Sequence, residues 1–202
     1  MKAPRSAFMA LCFLLLAGEA AAWSLNIGAA TRRVYLHVGN GTAEGNNGTI
    51  NLVSVTVPAA ALIAGTAQPM TTNSTQSNSL SGDNFATCPT PASQILIGAS
   101  YRRSNAGNGP ASATLTVTSP ANLTNATGDT IPFSEISWTV SAPGSPVPGI
   151  IPAGTFNGAT QTLATVPANT FIENCHTFTY ANTAIRAAGT YNGRVTYTLT
   201  SP

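Results

Sequence analysis

The chain has 202 residues, is 43% hydrophobic and only 7% charged, and carries a formal net charge of +2. Charge this sparse excludes the basic stripe that nucleic-acid binding needs. The length suffices for one domain with a full core.

The first 22 residues, MKAPRSAFMALCFLLLAGEAAA, have the three parts of a secretory signal. Lys2 and Arg5 supply the positive start, residues 7–17 the apolar core, and Ala20 and Ala22 the small residues before a cut. About eleven apolar residues are too few to span a bilayer. No later segment is apolar enough to do so, and no membrane span is expected after cleavage. Cys12 lies inside the apolar core and is not the first residue after it, so a lipid-anchored cysteine is not expected. The expected division is a signal peptide over 1–22 and one domain over 23–202, exported to the periplasm or cell surface of a bacterium.

Beyond the cut, short alternating runs follow one another, separated by Gly, Pro, Asn and Ser. Residues 32–39 alternate Val34, Leu36 and Val38 against Tyr35 and His37. Residues 50–58 set Val53, Val55 and Val57 on one face, with a slip near Leu52. The polar stretch 68–87 reads as a surface loop pinned at its far end by Cys88. Residues 94–101 align Ile95, Ile97, Ala99 and Tyr101, and residues 111–120 alternate Ala113, Leu115 and Val117 with threonines. Ile136, Trp138 and Val140 share a face. The segment 141–154 holds four prolines and reads as an extended crossover or edge. Two further runs, 161–166 and 171–180, lead to a closing strand. In it Tyr191, Val195, Tyr197 and Leu199 point one way and Arg194, Thr196, Thr198 and Thr200 the other. No segment has a convincing helical period. Eight short strands with turn signals between them predict an all-β fold, an antiparallel immunoglobulin-like β-sandwich. Its expected core is Val55, Ile95, Ile97, Leu115, Val117, Ile136, Trp138, Phe178, Val195, Tyr197 and Leu199.

Cys88 and Cys175 alone survive cleavage, and an isolated pair in an oxidising compartment is expected to form a disulfide. Sites for chemistry are harder to find. His37 and His176 are far apart, and neither has the near neighbour a zinc site uses. His176 reads as a sheet-face residue beside the disulfide. The carboxylates are scattered, and no nucleophile, phosphate-loop or metalloprotease motif occurs. No catalytic residue, metal ligand or cofactor is assigned, and the chain is not expected to be an enzyme. Ser81–Asn84 (SGDN) lacks the repeated acids of a calcium loop and reads as a turn. Sequons stand at Asn40, Asn47, Asn73, Asn122 and Asn125. Trp138 and Tyr101 read as core and not as a sugar platform. The pairs Arg32-Arg33 and Arg102-Arg103 read as caps on sheet edges.

The closing run AAGTYNGRVTYTLTSP resembles the terminal strand of pilin-like subunits of the spore coat protein U and archaic chaperone–usher group. Ala188, Gly189, Thr190 and Tyr191 match the Ala-Gly-Thr-Tyr start, and Val195, Tyr197 and Leu199 the alternation that follows. The resemblance implies a terminal strand (Gly189, Tyr191, Val195, Tyr197, Leu199) bordering an acceptor groove. A periplasmic chaperone fills that groove first, then the N-terminal extension of an identical or related subunit. The run WSLNIGA alternates suitably for a donor, with Trp23, Leu25, Ile27 and Ala29 on one face. It can equally be the first internal strand of a closed domain. A second function fits the same architecture: a self-contained binding module for carbohydrate or a surface partner, using the polar loops around Asn40 and Asn73.

Overall fold

Fourteen strands and one short helix follow one another along the described residues of the computed structural model, which are 23–42, 50–80, 86–104, 109–141 and 151–201. The expected signal sequence, the Ser81–Asn84 turn and the Asn47 sequon lie outside them. The strands are β1 (Trp23–Asn26), β2 (Arg33–Val38), β3 (Val53–Ser54), β4 (Gln68–Pro69), β5 (Thr71–Thr72), β6 (Ile95–Arg102) and β7 (Ser112–Thr118). There follow β8 (Asn122–Thr124), β9 (Thr130–Pro132), β10 (Ile136–Val140), β11 (Gly154–Thr155), β12 (Thr160–Pro167), β13 (Thr170–Tyr180) and β14 (Thr196–Thr200). The helix α1 (Ala59–Ala64) lies between β3 and β4. All strand ladders are antiparallel, so the fold is all-β. No helix among the described residues is long and apolar enough to cross a membrane.

The larger sheet is organised around β13, whose eleven residues are long enough to serve two partners along each edge. One edge pairs with β6 from Thr170 to Cys175 and then with β4 at Thr179 and Tyr180. The other pairs with β1 from Thr170 to Glu173 and then with β10 from His176 to Tyr180. Beyond these, β2 lies on β6 and β11 on β10, completing a seven-stranded sheet. The second sheet has three strands in the order β12-β7-β14. Two-stranded ribbons, β3-β5 and β8-β9, flank these sheets.

The alternation of the sequence accounts for how the sheets meet. Ile97, Ala99 and Tyr101 of β6, Ile172 and Phe178 of β13, and Ile136 and Trp138 of β10 share one buried cluster with Leu115 and Val117 of β7. Phe133, Phe156, Ile151 and Met70, from short elements and connections, join the same cluster. Of the expected core, Ile95, Ile97, Leu115, Val117, Ile136, Trp138 and Phe178 are buried. Val55, Val195, Tyr197 and Leu199 are half-buried and pack against that cluster. The opposite face of the three-stranded sheet is a grid of threonines, with Thr118 between Thr160 and Thr196, Thr116 between Thr162 and Thr198, and Thr114 between Thr165 and Thr200. Threonine suits such a face because its branched stem packs on the pleat while its hydroxyl meets water.

Three departures from the alternating pattern have local causes. On β6 the residues between the core positions, Leu96, Gly98 and Ser100, are buried as well. Cys88 and Cys175 lie over that second face, bonded with Cα atoms 5.3 Å apart, and form a small cluster with Leu96. On β12 a bulge between Thr162 and Ala164 lets two successive residues, Leu163 and Ala164, turn inward. The third departure is the run 50–58, which pairs as a strand only at Val53–Ser54 and then gives way to α1. Gly65 ends this Ala-rich helix in the left-handed conformation. The Asn182 side chain then donates to the carbonyls of Ala61 and Thr66, at 2.8 and 3.1 Å.

Where β11 meets β10, Gly154 lies opposite Trp138. A Cβ at residue 154 would fall 2.6 Å from Cζ2 of Trp138, whose indole N–H is held by the carbonyl of Pro152 at 3.0 Å. Gly154→Ala is therefore expected to destabilise the fold by about 1–3 kcal/mol through overpacking. A denaturant midpoint equal to that of the parent chain would refute this account.

Candidate functional site

The segment that delivers the chain to β14 is anchored at successive points. Glu135, buried at the end of a 3-10 turn, accepts from the backbone N–H of Thr183 at 3.1 Å and from its hydroxyl. It also lies 3.5 Å from Arg186 Nη2. Tyr191 donates its hydroxyl to the carbonyl of Ala187 at 2.8 Å. Asn192 and Thr124 exchange two backbone hydrogen bonds of 3.0 Å, which staples this segment to β8. The close approach continues at Gly189, where a Cβ would lie 3.1 Å from Asn125 Nδ2. At Gly193 it would lie within 2.7 Å of both Phe133 and Leu123. Asn125 is itself locked in the β8-β9 turn, its Oδ1 accepting from the N–H groups of Thr127 and Asp129. Hydrogen bonds from Asn125 and Thr127 hold the Asp129 carboxyl below its usual pKa.

Past these anchors β14 pairs with β7 in an unbroken register from Thr196↔Thr118 to Thr200↔Thr114. Tyr197 and Leu199 lean on the core, and burial raises the Tyr197 phenol above its usual pKa. Among the described residues, no strand pairs with the other edge of β14. Two other long strands, β2 and β12, are likewise paired on one side only. They differ in how that edge is guarded. β12 has the bulge at Thr162/Ala164 and ends in Pro167, and β2 begins with Arg33. Bulges, prolines and charges are the devices that discourage edge-to-edge pairing. β14, with the sequence Thr-Tyr-Thr-Leu-Thr, carries none of them. Of the larger sheet, it is β2 that comes near β14.

Of the two places open to Trp23–Ala29, the structure holds the segment in the chain's own sheet. Trp23, Ser24, Leu25 and Asn26 pair with Glu173, Ile172, Phe171 and Thr170. Ile27 then donates to the carbonyl of Asn169 at 2.9 Å, and Ala29 is exposed. The candidate donor and the candidate acceptor strand are thus not brought together, since β1 lies on β13 and β14 on β7.

The loops around Asn40 and Asn73 are bound to one another. Asn40 Oδ1 accepts from the N–H of Thr75 at 2.8 Å, and Asn40 Nδ2 donates to the carbonyl of Asn73 at 3.3 Å. Asn73 Oδ1 accepts from the N–H of Leu52 at 2.8 Å, and Asn51 Oδ1 from that of Asn40 at 3.1 Å. These amides act as internal struts joining three loops.

Neither histidine lies where ligation would need it. His176 is not beside the disulfide on one face. It projects into the core from the face opposite Cys175, with its ring stacked 6.3 Å from that of Trp138. Adjacent strand residues point to opposite faces, so His176 and Cys175 look opposite ways. Burial pushes its pKa down to about 3. His37 is buried on the outer face, in register with Gly98 and, beyond it, Glu173. Burial lowers its pKa. Glu173, fully buried, accepts from the Thr87 hydroxyl at 2.8 Å. Among the described residues no three His, Cys, Asp or Glu side chains gather as a metal site would require.

Sequence reasoning missed the anchoring residues Glu135, Asn125 and Asn182. Asn182 takes the αL conformation, which asparagine tolerates, but its partners Ala61 and Thr66 are far away in sequence and left no local signal. Comparison of the chain with family models, with curated proteins and with solved structures gave no match in any of the three.

Proposed function

We propose that the chain is a secreted, pilin-like structural subunit with an immunoglobulin-like sandwich architecture, not an enzyme, and that it joins partners by β-strand addition at the free edge of β14. The partners are a periplasmic chaperone and identical or related subunits. The observation that carries this reading is the unguarded edge. Among the described residues β14 is regular, uncharged and paired on one side only, with Val195, Tyr197 and Leu199 half-buried along that face. An incoming strand would satisfy its open backbone groups and cover those side chains, giving main-chain affinity and side-chain register together.

The test is the association state of the purified chain, followed by light scattering over a range of concentrations. It is run with and without a peptide of the sequence Trp23–Ala29. Uptake of the peptide or self-association is expected, and both should be lost when Thr196→Lys and Thr198→Lys place charges on β14 while the monomer stays folded. A chain that stays monomeric and takes up no peptide sinks the reading. Deleting Trp23–Ala29 separates the two roles of that segment. Retained folding with lost oligomers makes it a donor that exchanges out of its own sheet. Loss of cooperative unfolding makes it an internal strand, so that the strand added to β14 comes from elsewhere in a partner.

A further inference from the structure

The open face of β12, β7 and β14 is more regular than contact with solvent requires. Rows of three threonines cross the sheet at Thr118, at Thr116 and at Thr114. Within each row the residues are directly opposite one another in antiparallel ladders, so all nine project from one face. The bulge after Thr162 does not break the pattern, because Thr165 still meets Thr114. The threonines of β12 and β14 are exposed, as is Thr118, while Thr114 and Thr116, flanked on both sides, are half-buried.

The grid is polar without being charged. Arg194 comes two residues before its first row on the β14 side, and Ser112 and Pro167 pair beyond its last row. Thr118 Oγ1 and Thr160 Oγ1 are bonded to one another at 2.8 Å, and Thr116 donates to the carbonyl of Thr198 at 3.4 Å. A hydroxyl has one donor and two acceptor sites, so these bonds leave every threonine able to accept from water. Branching at Cβ restricts χ1 to few rotamers. The pattern of hydroxyls and methyls is therefore set in advance, and little side-chain freedom is lost when something binds to it.

The spacing points to the partner. Neighbours in a row are one strand apart, about 4.8 Å, and alternate residues along a strand are about 6.6–6.8 Å apart. Both distances lie near the oxygen repeats along the two axes of a prism face of ice. Only two repeats separate the outer rows or the outer strands, so the difference does not build up to half a period. Charge matters as much as spacing. An ammonium group would gather a strong hydration shell of its own and break the order of a lattice beside it. Hydroxyls set among methyls let adjoining water keep its lattice and anchor it at regular points. An uncharged face of donors and acceptors is the electrical complement of an uncharged crystal of the same groups.

We propose that the threonine face of the three-stranded sheet binds ice. This reading is independent of strand addition, which uses the edge of β14 and not the face of the sheet.

The experiment follows freezing in solutions of the folded chain. It measures the gap between the melting and growth temperatures of a single seed crystal, and the share of the chain taken up by a growing ice front. A gap that widens with concentration, faceted crystals and enrichment of the chain in the ice are expected. Thr162→Lys with Thr165→Lys places two charges in the face on the strand farthest from β14, which leaves the β14 edge as it is. Both signals should be lost. Thr160→Lys serves as an independent variant should that pair fail to fold, and thermal melting identifies which variants are folded. A folded parent chain that opens no gap and is excluded from ice overturns the proposal. So do signals unchanged in folded lysine variants. Oligomers that Thr162→Lys and Thr165→Lys dissolve, formed by a chain that ice excludes, would give the face to a second copy and overturn it as well.

Discussion

Replacing both cysteines, Cys88→Ala with Cys175→Ala, is expected to lower the unfolding free energy by about 2–5 kcal/mol. The bond spans 87 residues of sequence, and in the chain-entropy model closing a loop of that length restricts the unfolded ensemble by about 4–5 kcal/mol. A native-state contribution comes on top. Cys88 and Cys175 are buried with Leu96 on the outer face of β6 and β13. The backbone N–H of Cys88 donates to Ser77 at 2.8 Å, and the adjacent Thr87 caps the buried carboxylate of Glu173. Freeing this cover would wet Leu96 and leave Glu173 without the Thr87 hydroxyl. Denaturant titration of the parent chain with and without reductant, beside the double variant, checks the effect. The reduced parent and the variant should share one lowered midpoint. A midpoint that neither treatment moves would show that the bond adds nothing to stability.

The second large effect concerns acid. His176 is fully buried against Trp138 and Phe178, and neither ring nitrogen has a hydrogen-bond partner among the described residues. The neutral ring is therefore the form the core accepts, with a pKa of about 3 against about 6.5 for an unfolded histidine. Above roughly pH 6.5 both states are neutral and the group has no linkage to folding. Below it the unfolded chain takes up a proton that the folded chain refuses. Stability then falls by about 1.4 kcal/mol per pH unit until the folded pKa is reached. Between roughly pH 6.5 and 4.5 this amounts to about 2–3 kcal/mol. His37, lowered by the same cause, adds in the same direction. In His176→Leu the slope should flatten by the share of this one group, whatever the change at neutral pH. Parallel stability curves for the variant and the parent chain would contradict a neutral buried ring.

The strands that could be read from sequence are those whose two faces meet different surroundings. β7, β10 and β14 alternate cleanly because one face is core and the other is open, and their inward residues are those expected. Reading failed where both faces are covered. Along β6, Leu96, Gly98 and Ser100 lie between the apolar positions yet are buried, Leu96 under Cys88 from a distant segment and Gly98 under Phe171 and Glu173 of β13. The helix α1 was missed because its six residues, AAALIA, are all apolar, so no polar face sets off a stripe at the helical period. It forms on alanine propensity and a glycine stop. The buried Leu163 and Ala164 pair was hidden by a bulge, which alternation cannot register. For the candidate site, the pattern of β14 was legible from its own residues, whereas the freedom of its edge depends on which strands pair elsewhere. That Arg33 lies opposite Arg102 was illegible for a related reason. Each pair alone looks like an edge cap, and only the β2-β6 register joins them.

The two-sided pairing of β13 has a consequence in time. All four of its partners, β1, β4, β6 and β10, precede it in the chain, so nothing in the larger sheet can close around its centre until residue 170 and those after it have been made. During vectorial emergence the apolar run of β6 waits through more than sixty residues for its neighbour on that side. Pairings this distant in sequence form slowly, and waiting strands of this kind are open to mispairing. The late arrival of one strand thus leaves the earlier edges of the larger sheet open for most of the time the chain takes to be made.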